Sequence, residues 1–401
     1  MHHFKFTISV SVIAALLVLM IMPQAAAART SHDLEVSGWI PYWRDTQGMK
    51  DAKKHIRDLD AVYPFVFTVT TTGILSDQGG LGDKDWKAFV KDAQKKNVEV
   101  MPTIMWSDGV AMQTVLSNTT LRKAHVAAIA KMVKDGKYDG VDIDYEGKKS
   151  ETRDYFSLFL KELKDAIGKK KLVCTIEPRT PPESLYLDVP AVINYVNDYE
   201  EIGEHCDQVT IMAYDQQRAD IKLNAQRKGY PYIPVADEAW VRKVLELTIK
   251  SIPKEKVVLG IPTYGYHYSV TVAPEWYRDY WKLGALNVPS ILDIADEYDI
   301  KPSRNSAGEM GFSYIPSSSV LATYKKKLKI PKDTPEAEEA AVKALAYANA
   351  TGKDATFNIV SYSDAGAIKE KIDLAKDLEI KGVALFKIDG EEDQKVWSYL
   401  R

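Results

Sequence analysis

The fold is decided by one segment, Tyr138-Asp139-Gly140-Val141-Asp142-Ile143-Asp144-Tyr145-Glu146-Gly147. Side chains of a β-strand point alternately to opposite faces, so Asp142, Asp144 and Glu146 share one face. Three neighbouring carboxylates repel one another unless one holds a proton or hydrogen bonds link them. Because such a cluster is costly, the pattern predicts acid–base chemistry. The alternative is a solvated edge strand whose two aliphatic residues would provide all of the packing.

The same segment resembles a known signature. Asp139-Gly-Val-Asp-Ile-Asp-Tyr-Glu146 is similar to the pattern DGxDxDxE of the family 18 glycoside hydrolases, the chitinase-like enzymes. Every acidic position of that pattern is filled. The resemblance implies a barrel fold and the hydrolysis of a sugar polymer, and the rest of the chain can be compared with both expectations.

The composition is that of an ordinary soluble globular protein. The 401 residues are 45% hydrophobic and 27% charged, with a formal net charge of −3 at pH 7. This length allows one large domain or two smaller ones. The near-neutral balance and the lack of a basic stripe give no reason to expect a nucleic acid partner.

The first residues have the pattern of a secretory signal peptide, which we assign to residues 1–28. Lys5 precedes the apolar run 6–22, and small alanines end the segment. Cleavage near Ala27 or Ala28 would give a secreted or cell-envelope protein without stable membrane insertion. An uncleaved membrane anchor is the alternative, because the apolar run is long for a signal peptide. No later segment is apolar enough to span a bilayer.

Apolar runs and amphipathic segments alternate along the remaining chain. The predicted strands are 37–43, 61–70, 98–106, 138–147, 171–177, 207–215, 256–264 and 382–389. The predicted helices are 51–59, 85–96, 121–134, 151–167, 191–205, 238–252, 365–378 and 393–400. Strands that are apolar on both faces are typical of a buried parallel sheet. Eight strand–helix units predict an α/β fold, a (β/α)8 TIM barrel over residues 29–401, rather than an open doubly wound sheet.

One connection, residues 267–360, is far longer than an ordinary βα loop. It contains its own predicted helices and strands, at 290–298, 335–349, 311–315 and 355–362. Thr334 is the expected N-cap of the longer helix, and Gly352 lies just beyond its end. We predict a small α+β insertion after the seventh barrel strand, a place where many family 18 enzymes carry one.

Catalytic groups of such a barrel lie at the C-terminal ends of its strands. Glu146 ends the fourth strand and is the candidate general acid, with Asp144 and Asp142 successively deeper. The three carboxylates are expected to titrate as a coupled group. The family resemblance implies substrate-assisted, retaining cleavage of β-1,4 bonds next to an N-acetylglucosamine. It implies that Asp144 orients the acetamide, that Glu146 acts as acid and then base, and that Asp142 supports Asp144.

The end of the sixth predicted strand, Met212-Ala213-Tyr214-Asp215, is similar to the M-x-Y-D motif of the same family. The resemblance implies that the Tyr214 hydroxyl donates to the acetamido carbonyl and that Asp215 binds the sugar. Met212 is counted with the substrate-binding residues. Without the acidic strand, this motif would be interpreted as a buried tyrosine with a capping aspartate.

Aromatic residues are frequent at the same strand ends, and sugar rings pack their apolar faces on such side chains. The candidates are Trp39, Tyr42, Trp43, Trp106, Tyr264 and Tyr266. Barrels also bury aromatic residues, so a place in the core is the alternative for each. We expect Trp39, Trp106 and Tyr264 to bind the substrate.

The last strand departs from the family pattern. Family members usually carry a tryptophan there, beneath the reacting sugar, and this chain has Phe386. A phenyl ring stacks with less area and without an indole N–H. We expect Phe386 to bind substrate, and the change favours an N-acetylhexosamine polymer other than chitin, such as peptidoglycan.

Other chemistries have little support. The sequence has no HExxH motif and no G-x-S-x-G elbow, so neither a catalytic zinc site nor a serine nucleophile is predicted. We expect a monomer that needs no metal or organic cofactor and whose partner is its polysaccharide, chitin or peptidoglycan. Cys174 and Cys206 would form one disulfide if their strands are neighbours, or remain two buried thiols.

Two further functions stay open. One is a non-catalytic chitin- or peptidoglycan-binding lectin on the same fold; family members without catalysis typically lack the glutamate, which is present here as Glu146. The other is a retaining glycosidase with a protein nucleophile, which would need a carboxylate about 5–5.5 Å from Glu146. Glu177 and Asp215 are the candidates. Glu177 and Arg179 either line the cleft or pair with each other.

Overall fold

The computed structural model describes residues 34–227 and 230–400. The predicted signal peptide, residues 1–28, lies outside the described residues, so its cleavage remains a prediction. Among the helices of the described ranges, none is both long and apolar enough to cross a membrane.

Eight parallel strand positions close into a barrel, which confirms the predicted fold class. In chain order the strands are β1 Glu35–Pro41, β2 Ala61–Val69, β3 Leu75–Asp77, β4 Glu99–Val100, β5 Thr103–Trp106, β6 Gly140–Tyr145, β7 Lys171–Ile176, β8 Gln208–Ile211, β9 Val257–Pro262, β10 Gly265–Ala273, β11 Trp276–Leu286, β12 Ser303–Arg304, β13 Met310–Tyr314, β14 Ala355–Tyr362 and β15 Gly382–Phe386. The barrel order is β1-β15-β9-β8-β7-β6-β5-β2, and pairing of β1 with β2 closes it. The third position is split into β4 and β5, and β3 forms a hairpin with β2.

The helices are α1 Asp45–Lys54, α2 Lys84–Lys95, α3 Gly109–Ser117, α4 Thr119–Gly136, α5 Arg153–Ile167, α6 Pro182–Leu185, α7 Tyr199–His205, α8 Ile221–Gln226, α9 Glu238–Thr248, α10 Val288–Glu297, α11 Glu339–Thr351 and α12 Ala365–Asp377. Three predicted helices differ. α1 begins six residues before the predicted 51–59 segment, as its bounds show. α7 begins only at Tyr199, because Asp198 accepts from the Glu200 and Glu201 amides as its N-cap. The final segment is a 3-10 turn, Gln394–Ser398.

Aromatic and aliphatic side chains fill the inside of the barrel. Trp39, Tyr63 and Met101 pack there with five other buried residues: Ala61, Phe65, Val173, Val258 and Ala384. The Gln208 amide donates to the Tyr63 hydroxyl at 2.6 Å and so satisfies the polar end of that ring. Because the interior is packed, a ligand can reach the barrel only at the rim of its loops. The carboxylates of β6 must therefore act at the C-terminal mouth.

Strands β10 to β14 form a separate antiparallel sheet in the order β11-β10-β14-β13-β12. Helices α10 and α11 belong to the same segment, and Ile291, Phe312 and Val360 are part of its own core. Gly265 lies where β10 leaves the barrel, and a Cβ there would lie 2.4 Å from the Tyr362 Cβ. The sheet thus extends two residues beyond each end of the predicted insertion 267–360.

The expected N-cap of α11 is wrong. Thr334 donates its hydroxyl to the Pro331 carbonyl at 2.9 Å, and a 3-10 turn, Glu336–Glu338, precedes the helix. Gly352 does end the helix in the left-handed conformation, with φ +67°. A proline fixes φ for helix entry but does not decide between an α-helical and a 3-10 first turn.

Cys174 on β7 and Cys206 before β8 form a disulfide, with their Cα atoms 6.1 Å apart. Both residues are buried. Sequence alone left two buried thiols as the alternative, because it does not give the distance between two strands. The parallel pairing of β7 with β8 brings the two residues together.

Replacing both cysteines with alanine is expected to lower the free energy of unfolding by about 3 kcal/mol, because the bridge closes a loop in the unfolded chain. Urea denaturation measures the change. Reductant should destabilise the wild type to a similar extent and leave the double variant unaltered. Equal stability of the two proteins without reductant would contradict the prediction.

Candidate active site

Asp142 is the deepest carboxylate of β6 and is fully buried. Its Oδ2 accepts from Trp39 Nε1 at 2.9 Å and from the Thr103 hydroxyl at 2.7 Å. Its Oδ1 accepts from the Thr175 hydroxyl at 2.7 Å. Burial raises the pKa of Asp142 to about 6, and the three donors oppose that rise by stabilising the charged form. The donors also fix the orientation of the carboxyl group.

Asp144 lies one strand step closer to the mouth and is 3% exposed. Its Oδ1 is buried without a hydrogen-bond partner. Burial and the nearby charges of Glu146 and Asp142 raise the pKa of Asp144 well above its usual range, although Lys148 opposes the shift. Asp144 therefore takes up a proton more readily than an exposed aspartate, and its buried Oδ1 can accept a hydrogen bond from a ligand.

Glu146 directly follows β6 and is half-buried. Its amide donates to the Trp106 carbonyl at 2.8 Å, which extends the pairing with β5 by one residue and fixes the backbone of Glu146. Burial raises the pKa of Glu146, the negative charges of Glu177 and Asp215 raise it further, and Lys148 opposes them. A carboxyl group that keeps its proton while it reaches solvent is suited to general acid catalysis.

A partly buried ion pair holds the turn next to Glu146. Glu177 Oε2 accepts from Lys148 Nζ at 3.1 Å and from the Asn197 amide at 2.9 Å. Its Oε1 accepts from the Gly147 amide at 2.9 Å. Burial alone would raise the pKa of Glu177, but Lys148, Asn197 and the backbone donors outweigh burial and lower it. Glu177 is thus a fixed negative charge whose partner is Lys148 and not Arg179.

The segment after β8 places Tyr214 and Asp215 at the same rim. Asp215 has φ +57°, and its two oxygens accept from the Tyr264 and Tyr266 hydroxyls at 2.6 and 2.7 Å. Tyr214 is 9% exposed, and burial followed by the charge of Asp144 raises its pKa well above the usual range. The Tyr214 hydroxyl therefore remains a hydrogen-bond donor. A Cβ on Gly260 would lie 3.0 Å from the Tyr214 ring, so glycine leaves room for it.

Phe386 lies at the centre of an aromatic cluster on the mouth of the barrel. Its ring stacks on Tyr214 at 5.7 Å with an interplanar angle of 13°. It meets Trp39 and Tyr264 edge to face, at 5.7 and 6.2 Å. Phe386 is partly exposed. The ring therefore forms an aromatic floor at the mouth of the barrel, and its contact with substrate stays a prediction.

The structure does not bring every predicted residue to this floor. Trp106 is 2% exposed and packs against His125 and Tyr145. It pairs in register with Tyr145, which faces away from the carboxylate side of β6. Its expected contact with substrate is wrong, because the parity of β5 points it outward. Trp39 is 1% exposed and supports Asp142 from within the barrel instead of forming an open platform.

Met212 and Tyr264 are also buried, at 7% and 6% exposure. Tyr264 contacts the site through its hydroxyl, which holds Asp215, and through its ring edge against Phe386. Trp43 has the opposite environment. It is 49% exposed and packs edge to face on Tyr42 and Phe65 at the rim.

Residues 38–391 match the family described as glycosyl hydrolases family 18. The chain belongs to this family. Among curated relatives, it is 25% identical to the uncharacterized glycosylase YvbX of Bacillus subtilis, over 73% of this chain and 70% of the relative. It is 30% identical to the putative sporulation-specific glycosylase YdhD of the same organism, over 52% of this chain and 47% of the relative. The chain thus spans about half the length of YdhD.

Solved structures of the family share the fold. The spore cortex-lytic enzyme SleL of Bacillus cereus superposes with a TM-score of 0.66 at 17% identity, over 92% of this chain and 74% of that one. At this identity the likeness extends to the fold only. Membership of family 18 and the family's barrel fold are thus established for this chain.

Several site residues were not assigned by sequence analysis. Thr103 and Thr175 bond Asp142 from the flanking strands β5 and β7, and a hydroxyl at those positions has no sequence signal of its own. Lys148 and Asn197 compensate the charge of Glu177. The one sequence signal for a role of Lys148 in the site is its position two residues after Glu146. Asn197 lies in the segment 191–205, which is predicted as a helix, so the sequence does not indicate which way the Asn197 side chain points.

Two variants should shift the pKa of Glu146 in opposite directions. Glu177→Gln removes a negative neighbour and should lower it, whereas Lys148→Met removes the opposing cation and should raise it. The side-chain carboxyl resonance of Glu146, followed by NMR against pH, measures both shifts. Glu246→Gln, an exposed change on α9, is the matched control. Shifts of the same sign in both variants would contradict the assignment.

Proposed function

We propose that this protein hydrolyses β-1,4 bonds next to N-acetylglucosamine in a polymer, chitin or peptidoglycan, by substrate-assisted retention. The proposal rests on the row of three carboxyl groups on β6 and directly after it, which become less buried from Asp142 through Asp144 to Glu146. Asp142 has three donors, Asp144 has a buried oxygen without a partner, and Glu146 reaches the rim with a raised pKa. Membership of family 18 supports a glycosidase.

Glu146 acts as the general acid. Its raised pKa keeps the proton that the departing glycosidic oxygen requires. After bond cleavage the Glu146 carboxylate takes a proton from water, which attacks the anomeric carbon from the face that the leaving group has vacated, opposite the acetamide oxygen. The fixed charge of Glu177 favours the protonated form in the first step, and Lys148 limits that effect so that Glu146 can still release the proton.

Asp144 and Tyr214 hold the acetamido group whose oxygen attacks the anomeric carbon. The buried Oδ1 of Asp144 is available to the acetamide N–H, which acquires positive character as the oxazolinium intermediate forms. The Tyr214 hydroxyl, kept protonated by burial and by Asp144, donates to the acetamide oxygen. Asp142 keeps Asp144 in place because its own orientation is fixed by three donors.

The alternative of a protein nucleophile is disfavoured by the contacts of its candidates. Both oxygens of Asp215 accept from tyrosine hydroxyls. Both oxygens of Glu177 accept from donors, and one of these donors is the Lys148 ammonium group. A carboxylate restrained and stabilised in this way is a weak nucleophile. The sugar's own acetamide is therefore the proposed nucleophile.

Export follows as part of the proposal. The predicted leader 1–28 directs secretion, and the disulfide between Cys174 and Cys206 is of the kind that persists outside the reducing cytosol. An insoluble envelope or chitin polymer would be met only after export. The proposed location is the cell envelope or the medium, with the protein acting as a monomer.

Glu146→Gln is expected to reduce hydrolysis by about 10²- to 10⁴-fold, because the amide cannot protonate the leaving oxygen. The measurement is release of soluble fragments from chitin oligomers and from purified peptidoglycan. Glu246→Gln on α9 serves as the matched control with activity near wild type. Binding to either polymer without products from the wild type would instead make the protein a lectin. Full activity in Glu146→Gln would mean that another group is the acid.

The pH profile of hydrolysis should report the same carboxyl group. The acid must be protonated to act, so the rate falls as pH rises through the raised pKa of Glu146. Glu177→Gln lowers that pKa and should move the alkaline limb to lower pH. Lys148→Met should move it to higher pH. An alkaline limb that is the same in all three proteins would assign the step to a different group.

A further inference from the structure

A cavity adjoins the candidate active site. It has a volume of about 360 Å³ and lies between the segments that follow β7 and β8. Tyr214 and Asp215 of the site form part of its wall. Other lining residues include Arg179, Tyr195, Trp240 and Glu177, so the cavity has an aromatic wall and one cationic group, with the carboxylates of Glu177 and Asp215 at its edge. A polymer bound over Phe386 and Tyr214 would pass beside this opening.

Arg179 is held in a fixed plane. Its guanidinium lies 3.6 Å from the centroid of the Tyr195 ring and 3.9 Å from that of Tyr199. Its Nη2 donates to the Asn197 carbonyl at 2.7 Å. Stacking between two rings removes much of the rotational freedom that an arginine loses on binding a ligand. The cation is therefore preorganised.

Three acidic residues around Arg179 already have other donors. Glu177 bonds Lys148, Asn197 and Gly147. Asp198 accepts from the first amides of α7, and Asp215 accepts from two tyrosines. No ion pair in the described part of the chain includes Arg179, so its charge is available to a ligand. A planar guanidinium in this state matches a carboxylate, which it can bind through two parallel hydrogen bonds.

We propose that this cavity binds a carboxylate carried by the sugar polymer, and that Arg179 selects acidic over neutral N-acetylhexosamine glycans. The inference rests on the proposed function for the identity of the polymer backbone. Chitin carries no carboxylate. Peptidoglycan offers two sources, the lactyl ether on alternate sugars and the carboxyl groups of its peptides. Both present the same chemistry to Arg179.

Binding to the Glu146→Gln protein tests the proposal without turnover. The probes for calorimetry are chitotetraose, a peptide-free tetrasaccharide alternating N-acetylglucosamine with its lactyl ether, and the same tetrasaccharide with its carboxylates amidated. The acidic form should bind about tenfold tighter than the amidated form, because a charged hydrogen-bonded pair is lost on amidation. The preference should weaken with added salt. A peptide-bearing tetrasaccharide, whose lactyl carboxyl is in an amide bond, distinguishes the two sources.

Arg179→Gln in the same background should abolish the preference, and Arg179→Lys should restore part of it as a point charge without the planar fork. Arg57→Gln removes an equal charge from an exposed position in the turn after α1 and is the matched control, in which the preference should persist. Thermal denaturation checks that each variant folds. The amidated probe needs no mutation, so the test stands even if Arg179→Gln does not fold.

Equal affinity for the acidic and amidated tetrasaccharides, or a preference that survives in Arg179→Gln, would overturn the inference. Its failure is distinct from failure of the proposed function. If the wild type cleaves either polymer but shows no preference for the acidic tetrasaccharide, only the inference about Arg179 is contradicted. If the wild type cleaves neither polymer but binding prefers the acidic tetrasaccharide and depends on Arg179, the inference stands and the proposed hydrolase function is contradicted.

Discussion

The site depends on how the barrel stabilises the carboxyl group of Asp142 inside it. A buried carboxylate is unfavourable unless donors satisfy it, and here Trp39, Thr103 and Thr175 each donate to it. These donors belong to three different strands of the barrel, β1, β5 and β7. The carboxyl group therefore links four strands, with its own β6 at the centre. Loss of any one donor would leave the buried carboxyl group of Asp142 less well satisfied, and the charge of Asp142 in turn acts on the pKa of Asp144.

The charged groups near the rim of the barrel act on these buried carboxyl groups. Because Asp144 and Asp142 have raised pKa values in a dry interior, further negative charge nearby has a large effect. Glu177 supplies such a charge, and Lys148 limits it. Because Glu177 and Lys148 have opposite charges, the Glu177 carboxylate can remain ionised next to Glu146 at a modest desolvation cost. Arg179 is separate from this balance, since two tyrosine rings and a carbonyl hold it instead.

Local sequence patterns predict those parts of the fold that repeat along the chain. Apolar strands and amphipathic helices located all eight barrel positions, and the acidic strand and Tyr214-Asp215 both lie at one rim. Local patterns do not predict helix boundaries or side-chain orientations that depend on residues distant in the sequence. α1 was placed too late along the chain, and in the structure its Gly48 lies so close to the Ile388 carbonyl that a Cβ would approach to 2.6 Å. Trp106 was assigned to the cleft because a short strand end does not reveal its parity.

The barrel and the row of three carboxylates can be predicted from the chain alone, since they follow from periodicity and from residues adjacent in sequence, and the signature they form resembles that of the family. The disulfide between Cys174 and Cys206, the pairing of Glu177 with Lys148 and the packing of Arg179 on two tyrosine rings are visible only in the folded protein. These contacts join residues from different strands and loops. Their distances depend on strand register and loop path, which no local pattern encodes.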